Sequence, residues 1–495
     1  MRFTSTRAKT NIESAQAIAM GLSKDGGLFV PESFPKISDS LVDKLIDLDY
    51  KGRAFEVLRL YLTDFTDEEI KYCVNGAYEN KFDNNIPAPL TQLSDSAFML
   101  ELWHGPTCAF KDMALQLLPY LLTKSASKVA DGKTMVILVA TSGDTGKAAL
   151  DGFADVENTK IIVFYPEDGV SPMQKLQMTT QMGNNVSVCA IKGNFDDAQT
   201  GVKTIFSDEK MKQLLAENNM EFSSANSINF GRLVPQIVYY VSAYCDLVKS
   251  GKINKGDSFN VVVPTGNFGN ILAAYYAKQM GLPVAKLICA SNKNNILTDF
   301  INTGVYDRNR DFYTTASPSM DILISSNLER LLFELYNKDE TVISGLMADL
   351  SSKGKYAISD EVKAKLQAEF AAGCCDDDET KAQIKKLFDS CGYLCDTHTA
   401  VAVKVYEDYV AKTGDKTPTV IASTASPYKF AASVLSAVDN ENMPESEFDM
   451  VDKLSKVTNT DIPTPLAGLK SKEVIHKNVC DKQDMSQFIK QSLNI

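Results

Sequence analysis

Histidine is scarce in this chain. Only His104, His398 and His476 occur, and they cannot assemble the two-histidine helix of a zinc protease. Two further signatures are missing. There is no G-x-S-x-G, which argues against a serine-hydrolase elbow, and no G-x-G-x-x-G, which removes the dinucleotide fingerprint. No apolar run approaches the ~18 residues of a membrane helix, so no membrane segment is expected. The N-terminal stretch MRFTSTRAKTNIESAQ lacks the apolar core of a signal peptide. Glu13 comes too early for an organelle-targeting segment, and the expected location is the cytoplasm. Long basic runs are absent and the formal net charge is −12, which argues against a nucleic-acid partner. The 10 cysteines are scattered, too thinly for a disulfide scaffold, so reduced thiols are expected. Cys391, Cys395 and His398 have a poor spacing for zinc, and the only other close pair is Cys374 and Cys375, so no metal is expected.

The composition is that of a soluble globular protein, 44% apolar and 23% charged. Its length suggests roughly two to four domains. One structural unit recurs: an apolar, β-branched run, a loop of Gly, Ser, Thr and Asn, then a helix. It appears as MVILVA/TSGDTG/KAALDGFA, as FNVVVP/TGNFGN/ILAAYYAKQMG and as TVIAS/TASP/YKFAASVLSAV. Fully apolar strands alternating with helices predict an α/β fold with parallel sheets covered on both faces. Ligands of such sheets sit at the carboxyl ends of the strands, where all three loops lie. The first ~90 residues read as a separate N-terminal domain with acidic amphipathic helices around 39–50 and 66–78. Residues 320–390 read as mainly helical and charged, an excursion before the sheet resumes near 419, and the acidic run 376–379 reads as a solvated helix start.

The Gly146-Lys147 pair invites comparison with a P-loop. That motif needs glycine where Thr141 stands and a hydroxyl where Ala148 stands. TSGDTG therefore reads as a cradle for an anion smaller than a triphosphate, with Lys147 expected to face solvent. The loop Thr265-Gly266-Asn267-Phe268-Gly269-Asn270 opens a helix. It reads either as a phosphate site made of backbone N–H groups and a helix dipole or as an ordinary strand–helix turn. Lys111, in LWHGPTCAFKD, stands where a loop becomes an amphipathic helix. In an apolar pocket near positive potential its pKa would fall and it could act as nucleophile or base; the alternative is a surface lysine with its head in water. Ser426 with Pro427 reads as a helix cap, whereas Thr424 is harder to explain that way. A phosphate cradle, a loop lysine and a neutral hydroxyl at a third strand end suggest pyridoxal 5'-phosphate.

At these residues the sequence resembles the long-form threonine synthases, which have the tryptophan-synthase-β-like fold (fold type II) of pyridoxal-phosphate enzymes. The motifs are GLSKDGGLFVPE, LWHGPTCAFKD, ATSGDTGKAA, SPMQKLQMTT, SANSINFGRL, VPTGNFGNILAAYYAKQMGLP, LCDTHTAVAV and STASPYKF, in that order from about residue 20 to 435. The resemblance implies two open α/β domains plus an N-terminal α+β domain. The N-terminal domain covers 1–92. The large cofactor-binding domain covers 93–130 and 261–440, with a helical excursion at about 310–395. A smaller mobile domain covers 131–260, and a C-terminal segment follows at 441–495. It implies that Lys111 holds the cofactor aldehyde as a Schiff base and then moves protons. Gly266, Asn267, Phe268, Gly269 and Asn270 would bind the cofactor phosphate, and Thr424 would face the pyridine nitrogen. Ser142, Gly143, Asp144 and Thr145 would hold the substrate carboxylate. Asn226, Ser227, Asn229 and Arg232 are candidates for the substrate phosphate and ring surroundings; arginine suits a phosphate because its fork bonds it bidentately.

The implied lyase reaction converts O-phospho-L-homoserine and water to L-threonine and phosphate by γ-elimination and β-addition of water, the last step of threonine biosynthesis. The expected assembly is a monomer or homodimer. The sequence departs from the family pattern at Thr397, where proline is common. Cys108 is assigned no role. His398 has two readings, a capping or core hydrogen-bonder and a residue adjacent to the site. The rival readings are a serine or threonine dehydratase of the same fold type and a non-catalytic threonine-synthase-like protein.

Overall fold

The computed structural model describes residues 1–129, 132–141 and 143–495. Two open sheets organise the chain. The larger runs in the order Phe370–Cys374, Val284–Ser291, Phe259–Pro264, Thr419–Ser423, Ala97–Glu101 and Leu90–Gln92. Its first five strands are parallel, and only the edge strand Leu90–Gln92 is antiparallel. The smaller sheet is parallel throughout, in the order Asn478–Asp481, Val186–Lys192, Thr159–Pro166, Thr134–Ala140 and Met220–Ser223. The central strands are mostly apolar and buried along their whole length because helices cover both faces. FNVVVP is buried at every position, as is TVIAS. A third, antiparallel sheet of Ile12–Glu13, Arg2–Ser5 and Phe29–Pro31 belongs to the N-terminal part.

Register decides where loops meet. Val261 lies beside Val420, which lies beside Phe98. The three strands therefore end together, and the segments that follow them (265–270, 424–427 and 102–111) leave from one edge of the large sheet. The 20-residue helix Phe230–Lys249 is buried on nearly all sides, as a helix apolar all round must be. It touches the helices Tyr50–Tyr61, Gly269–Gln279 and Asp112–Leu115, and so ties the N-terminal part to the site region.

The acidic run does begin a helix: Asp376 caps Asp377–Cys391 in a reciprocal capping box with Glu379. The excursion is less purely helical than its sequence suggests. Phe370–Cys374 is a strand, paired with Val284–Ser291 at the edge of the large sheet. The C-terminal residues divide between the two sheets. Helix Glu447–Thr458 buries Val451 and Leu454 in the cluster around Val434 and Leu435. Strand Asn478–Asp481 and helix Met485–Leu493 complete the small sheet. Among the described residues no helix is long and apolar enough to cross a membrane.

The two sheets approach through Gly152, on helix Asp144–Phe153. A Cβ there would lie 2.0 Å from the carbonyl oxygen of Leu115, on the helix that Lys111 opens. Backbone cannot yield as a side-chain tip can. Gly152→Ala gains at most ~1 kcal/mol of helix propensity, whereas overpacking costs ~1–3 kcal/mol. We expect a net loss of stability, read as a lower melting temperature. A variant as stable as the parent would show that this packing tolerates a shift.

Candidate active site

Lys111 precedes the first residue of helix Asp112–Leu115. The turn before it is tight. Cys108 N–H donates to Gly105 O at 3.1 Å, and Cys108 takes a left-handed φ of 57°. Asp112 locks the turn by accepting from Thr107 N–H at 2.8 Å and Thr107 Oγ1 at 2.6 Å. Burial pushes the Asp112 carboxyl up to about 7, against the pull of those bonds. Burial also pushes the Cys108 thiol well up, which leaves it inert.

The side chain of Lys111 is 12% exposed. Its Nζ donates to Ser319 Oγ at 3.2 Å and to Asp144 Oδ2 at 3.3 Å. Burial and the neighbouring cation Lys429 pull its pKa down, and Asp144 pulls it back up; the net shift is downward. That is the direction a nucleophilic or basic amine needs.

The loop 265–270 shows why its sequence folds as it does. Ser325 Oγ donates to Gly266 O at 2.7 Å, and Asn327 Nδ2 to Asn267 O at 2.9 Å. In a planar trans peptide the N–H points opposite to the C=O. Holding those two carbonyls on one side therefore turns the N–H groups of Asn267 and Phe268 to the other. Phe268 takes φ 64°, a conformation a bulky residue adopts only where its surroundings compel it. Its ring, 1% exposed, packs on Phe370 at 5.8 Å between centroids. Gly269 then starts helix Gly269–Gln279. Asn270 Oδ1 accepts from Tyr239 and Tyr240, while its buried Nδ2 has no partner among the described residues. A Cβ on Gly266 would lie 2.6 Å from Ser319 O. Gly266→Ala should therefore displace either the cradle or Ser319, and we expect cofactor affinity to fall ~10-fold, about 1.4 kcal/mol, in a titration of the cofactor-free protein. Unchanged affinity would count against this loop as the cradle.

Thr424 follows strand Thr419–Ser423 and is pinned by its backbone. Its carbonyl accepts from Phe110 N–H at 2.8 Å, and its N–H donates to Thr399 Oγ1 at 3.3 Å. It is thus brought beside Lys111. His398 answers to both of its readings. Its Nε2 accepts from Ser319 N–H at 3.1 Å, so its other ring nitrogen carries the proton and donates to Asp396 Oδ2 at 2.7 Å. It is a core hydrogen-bonder that also supports Ser319, a partner of Lys111. Thr397 opens helix Thr397–Thr413, at the first helical position, where proline is favoured; either residue suits it.

In the small sheet, Gly143 caps helix Asp144–Phe153 with φ 157°. Asp144 is buried between cations: its Oδ1 lies 2.7 Å from Lys429 Nζ, and Gln174 Nε2 donates to the same oxygen at 3.0 Å. Burial alone would raise this carboxyl, but Lys429 and Lys111 outweigh it and hold it well below the carboxylate range. Thr145 is partly exposed. Ser142 lies outside the described residues. Lys147 does not face solvent. It is 8% exposed, and its Nζ meets Asp151 at 3.2 Å and Gln181, because the helix lies flat against Pro172–Thr179 and leaves water no room.

Arg232 is buried on helix Phe230–Lys249. Its Nη1 donates to Ala225 O at 2.6 Å, and its Nε has no partner among the described residues. Burial pushes this guanidinium down to about 10. Asn226 is exposed and Ser227 partly so. Asn229 is committed elsewhere. Its Oδ1 caps the helix by accepting from Gly231 N–H at 2.8 Å, and its Nδ2 donates to Ile18 O and Ser224 O. It braces the loop; to touch a substrate it would have to give up these bonds.

Sequence reasoning missed Ser319, Gln174 and Lys429. It also missed Arg330, which is 0% exposed and holds Asn327, Phe29 O and Ile228 O, bracing the 265–270 loop from behind. Lys429 stands in the quoted STASPYKF, but nothing in that motif marks it as buried.

Donors turned toward one point at a helix start, an orphaned buried amide on Asn270, a lowered lysine and a strand-end threonine fit pyridoxal phosphate. Open parallel sheets with such a site define the fold type II class of pyridoxal-phosphate enzymes. Comparison narrows this. The family model of pyridoxal-phosphate dependent enzymes matches residues 84–424. Those of the threonine synthase N terminus and C-terminal region match 2–78 and 399–489. The chain is 43% identical to human threonine synthase-like 1 over 87% of its own length and 59% of that protein's. It thus spans about three fifths of that relative. It is 38% identical to threonine synthase of Pseudomonas aeruginosa, over 88% of this chain and 90% of that one. The crystal structure of pyridoxal-phosphate-bound threonine synthase from Brucella melitensis superposes with a TM-score of 0.89 at 35% identity, covering 99% of both chains. The chain belongs to the threonine synthase family of pyridoxal-phosphate dependent enzymes.

Proposed function

We propose that this chain is a lyase that converts O-phospho-L-homoserine and water to L-threonine and phosphate. The observation that carries the reading is the set of groups around Lys111. Its amine is lowered, the turned N–H groups of Asn267 and Phe268 stand on its own sheet, and a helix start of the other sheet meets it through Asp144. Pyridoxal phosphate, when bound, supplies the electron sink for carbanions at the substrate's Cα and Cβ. Lys111 binds the cofactor aldehyde and, once free, takes the proton from Cα and returns protons as phosphate leaves Cγ and water adds at Cβ. The 267–270 donors hold the cofactor phosphate, and Thr424 offers its ring nitrogen a neutral hydroxyl. The helix start at Gly143–Thr145, with Ser142, takes the α-carboxylate through backbone and hydroxyl donors, since the Asp144 carboxylate is already engaged. Arg232, with Asn226 and Ser227, takes the phosphate that leaves. Closure of the small-sheet domain excludes bulk water from the intermediate. Ten free thiols suit a cytoplasmic setting.

The test is direct. Purified full-length protein should be yellow, and borohydride should bleach it and fix the cofactor on Lys111. Phosphate should be released from phosphohomoserine, with threonine formed in equal amount. Ketoacid from threonine without phosphate release would instead assign a dehydratase. Cofactor binding with neither reaction would assign a non-catalytic threonine-synthase-like protein.

A further inference from the structure

Lys429 lies on the short turn Pro427–Phe430, just beyond strand Thr419–Ser423 of the large sheet. Its side chain is 0% exposed. Its Nζ donates to Thr107 O at 2.8 Å and stands 2.7 Å from Asp144 Oδ1. Asp144 begins the helix that follows strand Thr134–Ala140 of the small sheet. The ion pair thus joins strand ends of the two sheets across the cleft between them. The two oxygens of Asp144 have different partners. Oδ1 takes Lys429 and Gln174, while Oδ2 takes Lys111 at 3.3 Å. Burying an ammonium is costly unless a counter-ion and further hydrogen bonds meet it. Lys429 has both, from residues that flank Lys111: Thr107 precedes it in the same loop, and Asp144 touches its amine. The substrate groups assigned above have no need of Lys429.

We propose that Lys429 is a positioning residue: it anchors Asp144 across the cleft, and the anchored carboxylate receives and aims the ε-amine of Lys111 whenever that amine is free. The proposal rests on the reading of Lys111 as the reactive lysine. It explains why a carboxylate stands at the tip of a loop assigned to an anionic substrate. Asp144 is there for the lysine, and Lys429 keeps its charge balanced and its place fixed. Among the described residues the charged groups acting on Lys111 are Asp144, Lys429 and Arg232, and the Ser319 hydroxyl and the Phe110 ring also lie against it.

The test uses the full-length chain before cofactor is added. Lysine acetylation is followed against pH, and the peptide holding Lys111 is quantified by mass spectrometry. In Lys429→Met the titration midpoint of Lys111 should move up by about one unit, because a like charge is lost and Asp144 is no longer shared. In Asp144→Asn it should move down by a similar amount. Lys429→Arg, which keeps the charge, should stay near the parent. Backbone hydrogen exchange over 144–153 should quicken in Lys429→Met. In the loaded enzyme kcat should fall ~10-fold or more with little change in KM, since Lys429 touches no substrate. An unshifted Lys111 midpoint in Lys429→Met, whatever Asp144→Asn shows, overturns the proposal. If Lys429→Met does not fold, Lys429→Gln decides by the same shift, because its amide can still donate to Thr107 O and only the charge is removed. The labelling needs no substrate, so a failure of the proposed reaction is seen separately, as absent phosphate release in the parent.

Discussion

Lys111→Ala should leave a folded protein that takes up pyridoxal phosphate weakly, yields no borohydride-fixed peptide and turns over at least ~10³-fold more slowly. The size follows from what is removed. A positioned acid–base group contributes ~10²–10⁴-fold, and here the same amine also forms the covalent link to the cofactor. Folding should survive, because among the described residues Lys111 makes two side-chain hydrogen bonds, to Asp144 and Ser319. Asp144 keeps Lys429 and Gln174 as partners. Lys111→Arg should fail as completely. A guanidinium restores the charge but stays protonated and offers no nucleophilic nitrogen. The measurements are absorbance, borohydride labelling with peptide mapping, and phosphate release. Fixation on another lysine, such as Lys429 or Lys147, would move the active centre away from Lys111.

Much of this was legible in the chain because it is local. Apolar runs such as FNVVVP mark strands buried on two faces, and a glycine-rich loop before a helix marks an anion cradle whatever the rest of the fold. What escaped depends on partners distant in sequence. Phe370–Cys374 reads FAAGC, short and made of small residues, inside a stretch dominated by helix patterns; only its pairing with Val284–Ser291 makes it a strand. Lys147 and Lys429 look alike on the page, and a lysine reads by default as a head in water. Both are buried, and Asp151 with Gln181 in one case and Asp144 with Thr107 in the other make that tolerable. Asn229 stands in a motif of substrate-binding character, and its bracing role needs the carbonyls of Ile18 and Ser224 to be seen. Ser319 belongs to no motif; it reaches Lys111 because His398, some eighty residues on, holds its backbone.

Arg232→Leu should separate activity from stability, with opposite signs. Arg232 is 5% exposed, and among the described residues its guanidinium bonds one carbonyl, that of Ala225. Its Nε is left without a partner among those residues, and burial draws its pKa down to about 10. A charge so placed costs the folded chain several kcal/mol that one carbonyl does not repay, so its removal should leave the melting temperature unchanged or raise it, even though leucine is shorter. Activity should move the other way. A charge-assisted bond to a phosphate contributes ~1.5–3 kcal/mol, and a bidentate pair more. We therefore expect kcat/KM for phosphohomoserine to fall ~10²–10³-fold, equivalent to about 3–4 kcal/mol. Arg232→Lys should recover little, since an ammonium lacks the planar fork. Cofactor uptake, read from absorbance, should persist in both variants, which distinguishes a substrate anion from the cofactor's own phosphate. A kcat/KM within twofold of the parent would remove Arg232 from the substrate site. A loss of stability comparable to the loss of activity would make it a structural cation, held for the sake of the loop at Ala225.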